Sequence, residues 1–218
     1  MRPRRLSLPA FALLLAALLL GATPAQAQTT PSAEALIDRL EEKYDGGQAL
    51  HAQFSQTISQ NGQTRTLEGT LTLKGDRYRV ETNRQTLVTD GETTWTYTPA
   101  RKQVLVNDYA ENETAFSPGR FFDGYQERYR VTNVRTAQRS GTRHRVLTLK
   151  PRQGGAFFQK VTLWMRASDA VVTRLVVMDA NGSRMTFSLR DVTFGAETTA
   201  STFRFDAPQG VEVVDLRS

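Results

Sequence analysis

The chain has 218 residues, with 28 Lys and Arg against 22 Asp and Glu, and no cysteine. The missing thiols exclude disulfides, thiolate metal sites and a cysteine for lipid attachment. The formal charge of +6 is spread along the chain, without the basic stripe or motif that nucleic-acid binding requires.

Arg2, Arg4 and Arg5 precede the apolar run "LPAFALLLAALLLGA", which is too short to span a bilayer comfortably, and the small residues "AQA" end at Ala27. This order predicts an export signal over residues 1–27 and one domain over residues 28–218. Without the signal's three arginines, 25 cations face 22 acids, a net charge of +3.

An amphipathic helix comes next. Ser32 supplies an N-cap hydroxyl, and Glu34 sits near the positive helix end. Leu36, Ile37, Leu40 and Tyr44 recur on one face, and Asp45-Gly46-Gly47 ends the helix.

From residue 50 the apolar period changes to two. Leu50, Ala52, Phe54 and Ile58 alternate with polar residues, as do Leu67, Gly69, Leu71 and Leu73. "RYRVE" adds Tyr78 and Val80, and "TTWTY" with "KQVLV" place Trp95, Tyr97, Val104 and Val106 on one expected inward face. "RYRVTNV", "RHRVLTLK", "FQKVTLWMR", "VVTRLVVM" and "RMTFSLRDVTF" continue the pattern. Asp90-Gly91, Gly154-Gly155, Asn181-Gly182 and Gly195 mark turns between these runs. About ten to twelve short strands in meander order predict one antiparallel sheet that curls on itself. One insertion breaks the meander: in "SPGRFFDG", Ser117 and Pro118 open a short helix carrying Phe121 and Phe122. Both helices are expected to cover the sheet's inner face.

Catalytic motifs are missing from the sequence. His51 and His144 fall on polar registers, and no nucleophile or zinc-binding pattern accompanies them. Asp90 and Glu92 flank Gly91; the pair has the composition of an acid/base site, but an Asp-Gly corner explains it as a turn. An esterase would need a nucleophile beside one of the histidines.

The surplus is apolar. Phe54, Ile58, Leu71, Leu73, Tyr78, Trp95, Tyr97, Val161, Leu163, Met165, Met185, Phe187 and Leu189 occupy inward phases. They either fill a dry core or line a cavity that a lid helix leaves open.

The order "HAQFSQT", "GTLTLKG", "YRVE", "LVTDGETTWTYTPARKQVLV", "SPGRFFDG", "LTLKP" and "FRFDAPQGVEVVD" resembles LolA-type periplasmic lipoprotein carriers along nearly the whole chain after the signal. The resemblance implies a mainly β fold, an unclosed β-barrel (half-barrel) with an α-helical lid over a hydrophobic cavity for lipoprotein acyl chains. It makes the inward residues above, with Val106, Phe121 and Phe122, the acyl-contacting set. It further implies a periplasmic monomer without cofactor, metal or nucleic acid, loaded by an inner-membrane lipoprotein-releasing ABC transporter complex and unloaded to an outer-membrane, LolB-like acceptor. A lipid-binding or lipoprotein-sensing module without transfer activity is the alternative. One departure stands out: family members carry Lys-Arg-Pro at the corner after the second long strand, with the arginine bonded to the lid backbone. Here that corner is Lys74-Gly75-Asp76.

Overall fold

The computed structural model describes residues 31–45, 47–109, 129–153 and 158–217. The expected signal, the Phe121/Phe122 helix and the Gly154-Gly155 turn lie outside them.

Helix α1 (Ala33–Asp45) begins as its sequence predicts, with the Ala35 N–H donating to Ser32 Oγ at 3.1 Å. It is followed by β1 (Leu50–Gln60), β2 (Gln63–Lys74), β3 (Arg77–Thr82), β4 (Thr86–Thr89), β5 (Thr93–Thr98) and β6 (Gln103–Asp108). The second half holds β7 (Tyr129–Arg139), β8 (Thr142–Pro151), β9 (Phe158–Arg166), β10 (Val172–Asp179), β11 (Arg184–Phe194) and β12 (Glu212–Asp215). The periodic runs account for ten of these strands. The two they miss, β4 and β12, have four residues each, too few to show a period.

All twelve strands form one sheet in the order β12-β6-β5-β4-β3-β2-β1-β11-β10-β9-β8-β7. Every pairing is antiparallel except β12 on β6, which is parallel. The long-range pair β1–β11 therefore joins the two limbs of the sheet, while β7 and β12 are edges with a single described neighbour each. The barrel is unclosed.

Several turns follow from their residues. Asn61 and Gly62, both at positive φ (51° and 76°), make the two-residue link between β1 and β2. The Asp90 carboxylate accepts the N–H groups of Glu92 (3.0 Å) and Thr93 (2.9 Å), and Gly91 sits at φ 95°. Asp90 is thus a turn-former, with Glu92 exposed beside it. Asp179 does the same before β11, accepting from Asn181 and Ser183.

The sheet curls around one face, which we call inner. Helix α1 covers its β8–β10 part: Leu36, Ile37 and Leu40 are fully buried against Leu147, Leu149, Val161, Leu163, Met165, Leu175 and Val177. Tyr44 anchors the helix end, accepting the Val172 N–H on its phenol oxygen at 3.0 Å. That N–H lies where the β9–β10 register shifts, between Val172 and Arg174.

Candidate cavity of the curled sheet

Beside the helix-covered core, and sharing Leu163, Val172 and Leu175 with it, the inner face holds a cavity of about 220 Å³. One wall is Phe54, Leu67, Leu71, Val80 and Leu87 from β1 to β4; the opposing wall is Leu163, Val172, Leu175, Phe187 and Leu189 from β9 to β11. Gln56, Thr82 and Gln85 complete the lining. Thr82 is already engaged, since its hydroxyl accepts the N–H groups of Arg84 and Gln85 and closes the β3–β4 turn. Such a lining favours an apolar occupant: each buried methylene contributes roughly 0.8 kcal/mol without any directional contact.

Cross-strand pairing fixes which residues can reach this cavity, because directly paired residues point to the same face. The row Leu189, Phe54, Gly69, Thr82 and the row Ala52, Leu71, Val80, Leu87, Thr96 are both inner. Five of the expected contact residues, Phe54, Leu71, Leu163, Phe187 and Leu189, therefore meet in one wall-to-wall lining. Met165 and Met185 share the face but pack in the helix-covered core. Leu73 is buried with Leu50 and Ala52, against which Tyr78 packs. Ile58 lies on the inner face too, but 38% exposed at the end of β1.

Trp95, Tyr97, Val104 and Val106 are a correction. Val88 pairs with Trp95 and with Arg79, and Trp95 pairs with Val106, so this set lies on the outer face, away from the cavity. The alternation in β5 and β6 is present as expected, but it does not say which side is inside. Here the chain's own C-terminal segment buries the outer side. Phe205 stacks on Tyr97 at 5.1 Å between centroids, and Phe203 is 1% exposed. The Arg77 guanidinium lies 5.2 Å from the Phe203 ring centroid, and Arg79 donates to the carbonyls of Thr202 and Arg204 (3.5 and 3.4 Å). Both arginines near the Lys74-Gly75-Asp76 corner are thus tied to the outer segment, not aimed at the inner face.

His144 is a second correction. Its polar register predicts an exposed ring, but it is 3% exposed: one ring nitrogen lies 2.9 Å from the Thr142 carbonyl and the other 2.9 Å from the Thr173 hydroxyl. His51 is exposed and bonds Thr72 at 3.0 Å. Among the described residues no group of three or more His, Asp or Glu converges in a way that could hold a metal ion.

Sequence reasoning leaves Leu67 and Val80 out of the contact set although their strands are periodic, and misses Gln56, Leu87, Val172 and Leu175. Leu87 belongs to β4, which has no readable period; the others follow once the register is known, as Leu175 opposite Phe187 shows.

Comparison with known proteins agrees with the geometry. The family model described as "Outer membrane lipoprotein carrier protein LolA" matches residues 45–206. An outer-membrane lipoprotein carrier protein of Pseudomonas aeruginosa is 29% identical over 93% of this chain and 96% of its own length. The protein of that name from Azotobacter vinelandii matches at the same identity and coverage. Among solved structures, an uncharacterized conserved protein of Thermus thermophilus superposes with a TM-score of 0.56 at 16% identity, covering 85% of this chain and 99% of that one, which speaks to fold alone.

Proposed function

This chain belongs to the LolA family of outer membrane lipoprotein carrier proteins, and from that premise we propose how it holds and passes on its cargo. It is a periplasmic lipoprotein carrier, and the acyl chains of the lipoprotein occupy the cavity between the β1–β4 wall and the β9–β11 wall. The observation that carries this reading is the lining itself, ten apolar side chains converging from both limbs of one curled sheet. The contact set is Phe54, Leu67, Leu71, Val80 and Leu87 facing Leu163, Val172, Leu175, Phe187 and Leu189. Phe121 and Phe122 belong to the lid by sequence.

At about 220 Å³ the cavity is below the ~300–1,000 Å³ of ordinary small-molecule sites, so loading an acylated protein requires the two walls to part. The edges β7 and β12 leave the sheet free to do so, because among the described residues no second ladder joins one limb to the other. Residues 1–27 direct export, an inner-membrane releasing transporter loads the carrier, and an outer-membrane, LolB-like acceptor unloads it. These assignments rest on the signal-like N-terminus and on the family.

Native mass spectrometry of the purified protein, with uptake of a triacylated peptide, tests the reading. A bound acylated species, lost in folded Leu71→Glu and Phe187→Glu variants, is expected. A folded wild type that takes up no acylated peptide would sink it.

A further inference from the structure

The outer face of the β7–β11 limb carries a feature that cargo binding does not use. Cross-strand pairing sets Arg135, Val146, Trp164, Arg174 and Ser188 side by side on five neighbouring strands. The Arg135 guanidinium lies over the Trp164 ring, 5.2 Å from its centroid, and His144 meets the same ring edge-on at 5.9 Å. Arg174, on the other side of the tryptophan, is half-buried, and its Nε is enclosed without a hydrogen-bond partner. Burial, and then the neighbouring Arg139 and Arg184, push this guanidinium below its ordinary value.

Three described acids near this face are already engaged. Glu68, at the far end of the same row, lies 3.8 Å from Arg190. Asp169 is held by Arg166 at 2.7 Å, and Asp179 accepts backbone N–H groups in its turn. Packing cations together around an enclosed, unpaired donor is unfavourable for the isolated chain, and an oxyanion seated among the accessible guanidinium groups would offset the repulsion between them.

We propose that Arg135 and Arg174, flanking Trp164 and supported by Arg139 and Arg184, form a docking site for an acidic segment of a partner protein, a carboxylate reaching between the two guanidiniums. Planar guanidiniums suit two-point pairing with carboxylates. The occupant is a protruding acidic side chain, not a bilayer headgroup, because the face is convex and the free Nε is recessed. A flat surface would stop at the exposed Arg135 and Arg184. The site lies on the face opposite the cavity, so a docked partner leaves the cargo in place, and its failure leaves the carrier reading untouched.

A fluorescein-labelled glutamate-rich peptide tests the site by anisotropy, alongside vesicles of phosphatidylcholine and phosphatidylglycerol. Wild type is expected to bind the peptide in a salt-sensitive manner. Arg135→Met and Arg174→Met should each weaken it, and the double variant by about tenfold or more, as loss of charge-assisted pairing implies. Arg101→Met/Lys102→Met, which removes as much charge from an exposed turn elsewhere, should bind as wild type does. Arg174→Met should also melt at or above the wild-type temperature, since it removes the orphaned Nε, and the double variant should still take up triacylated peptide. Equal weakening by the control pair, no peptide binding by wild type, vesicle binding in its place, or a lower melting temperature for Arg174→Met would each overturn the proposal.

Discussion

Gly69 shows how closely single residues are set in this sheet. A Cβ there would collide with the Glu81 carbonyl oxygen and lie 3.0 Å from the Phe54 ring, so β3 and the aromatic ring occupy the space a side chain would need. Gly69→Ala is expected to destabilise by about 1–3 kcal/mol, read from the midpoint of urea unfolding, because the strands must shift to admit the methyl. Tyr44 makes a different prediction. Burial pushes its phenol up from 10.0 to about 12, so the folded state favours the neutral form. That contribution is complete below pH 10 and is lost as pH rises through about 12. Between those values wild type should lose more stability than Tyr44→Phe. At neutral pH the variant should be weaker by roughly 1–3 kcal/mol, having left the Val172 N–H unpaired. A variant with the same alkaline loss as wild type would show that Tyr44 does not carry it.

At the scale of elements, β4 decides which apolar stripe belongs to the cavity. It places Leu87 on the inner face and Val88 on the outer, and Val88 then fixes Trp95 and Tyr97 outside. A four-residue strand has no measurable period, so the sequence offered the alternation of β5 without its phase. The two faces separate experimentally. Leu87→Glu is expected to abolish uptake of a triacylated peptide in a folded protein, while Tyr97→Ala lowers the melting temperature but leaves uptake per folded molecule unchanged. The reverse pattern would place the cargo on the wrong side of the sheet. Helix α1 was legible for the opposite reason: Leu36, Ile37 and Leu40 recur on one face, and its cap residue precedes them.

For the whole molecule, the governing feature is that two limbs of one sheet meet only through β1–β11 and through what lies between their inner faces, among the described residues. Cargo bridging the β1–β4 and β9–β11 walls should therefore stabilise the fold. At a free lipopeptide concentration 100 times Kd, linkage gives about 2.7 kcal/mol. For a domain of this size that raises Tm by roughly 5–10 °C, measurable by calorimetry. An unchanged Tm at saturation would mean that cargo binds outside the native cavity.

The sequence by itself determined the mainly β class, the capped first helix, ten of the twelve strands, the Asp-Gly turn at residues 90–91 and, through its ordered motifs, the family. These are local properties, carried by period, capping and turn chemistry within a few residues. Only the tertiary structure decided that Leu50–Gln60 pairs with Arg184–Phe194, that β12 returns parallel to β6, and that the stripe of Trp95 and Tyr97 is buried under Phe203 and Phe205 instead of lining the cavity. Alternation separates the two faces of a strand but does not orient them. When both faces are covered, one by helix and cavity and the other by the chain's own end, only long-range pairing distinguishes inside from outside.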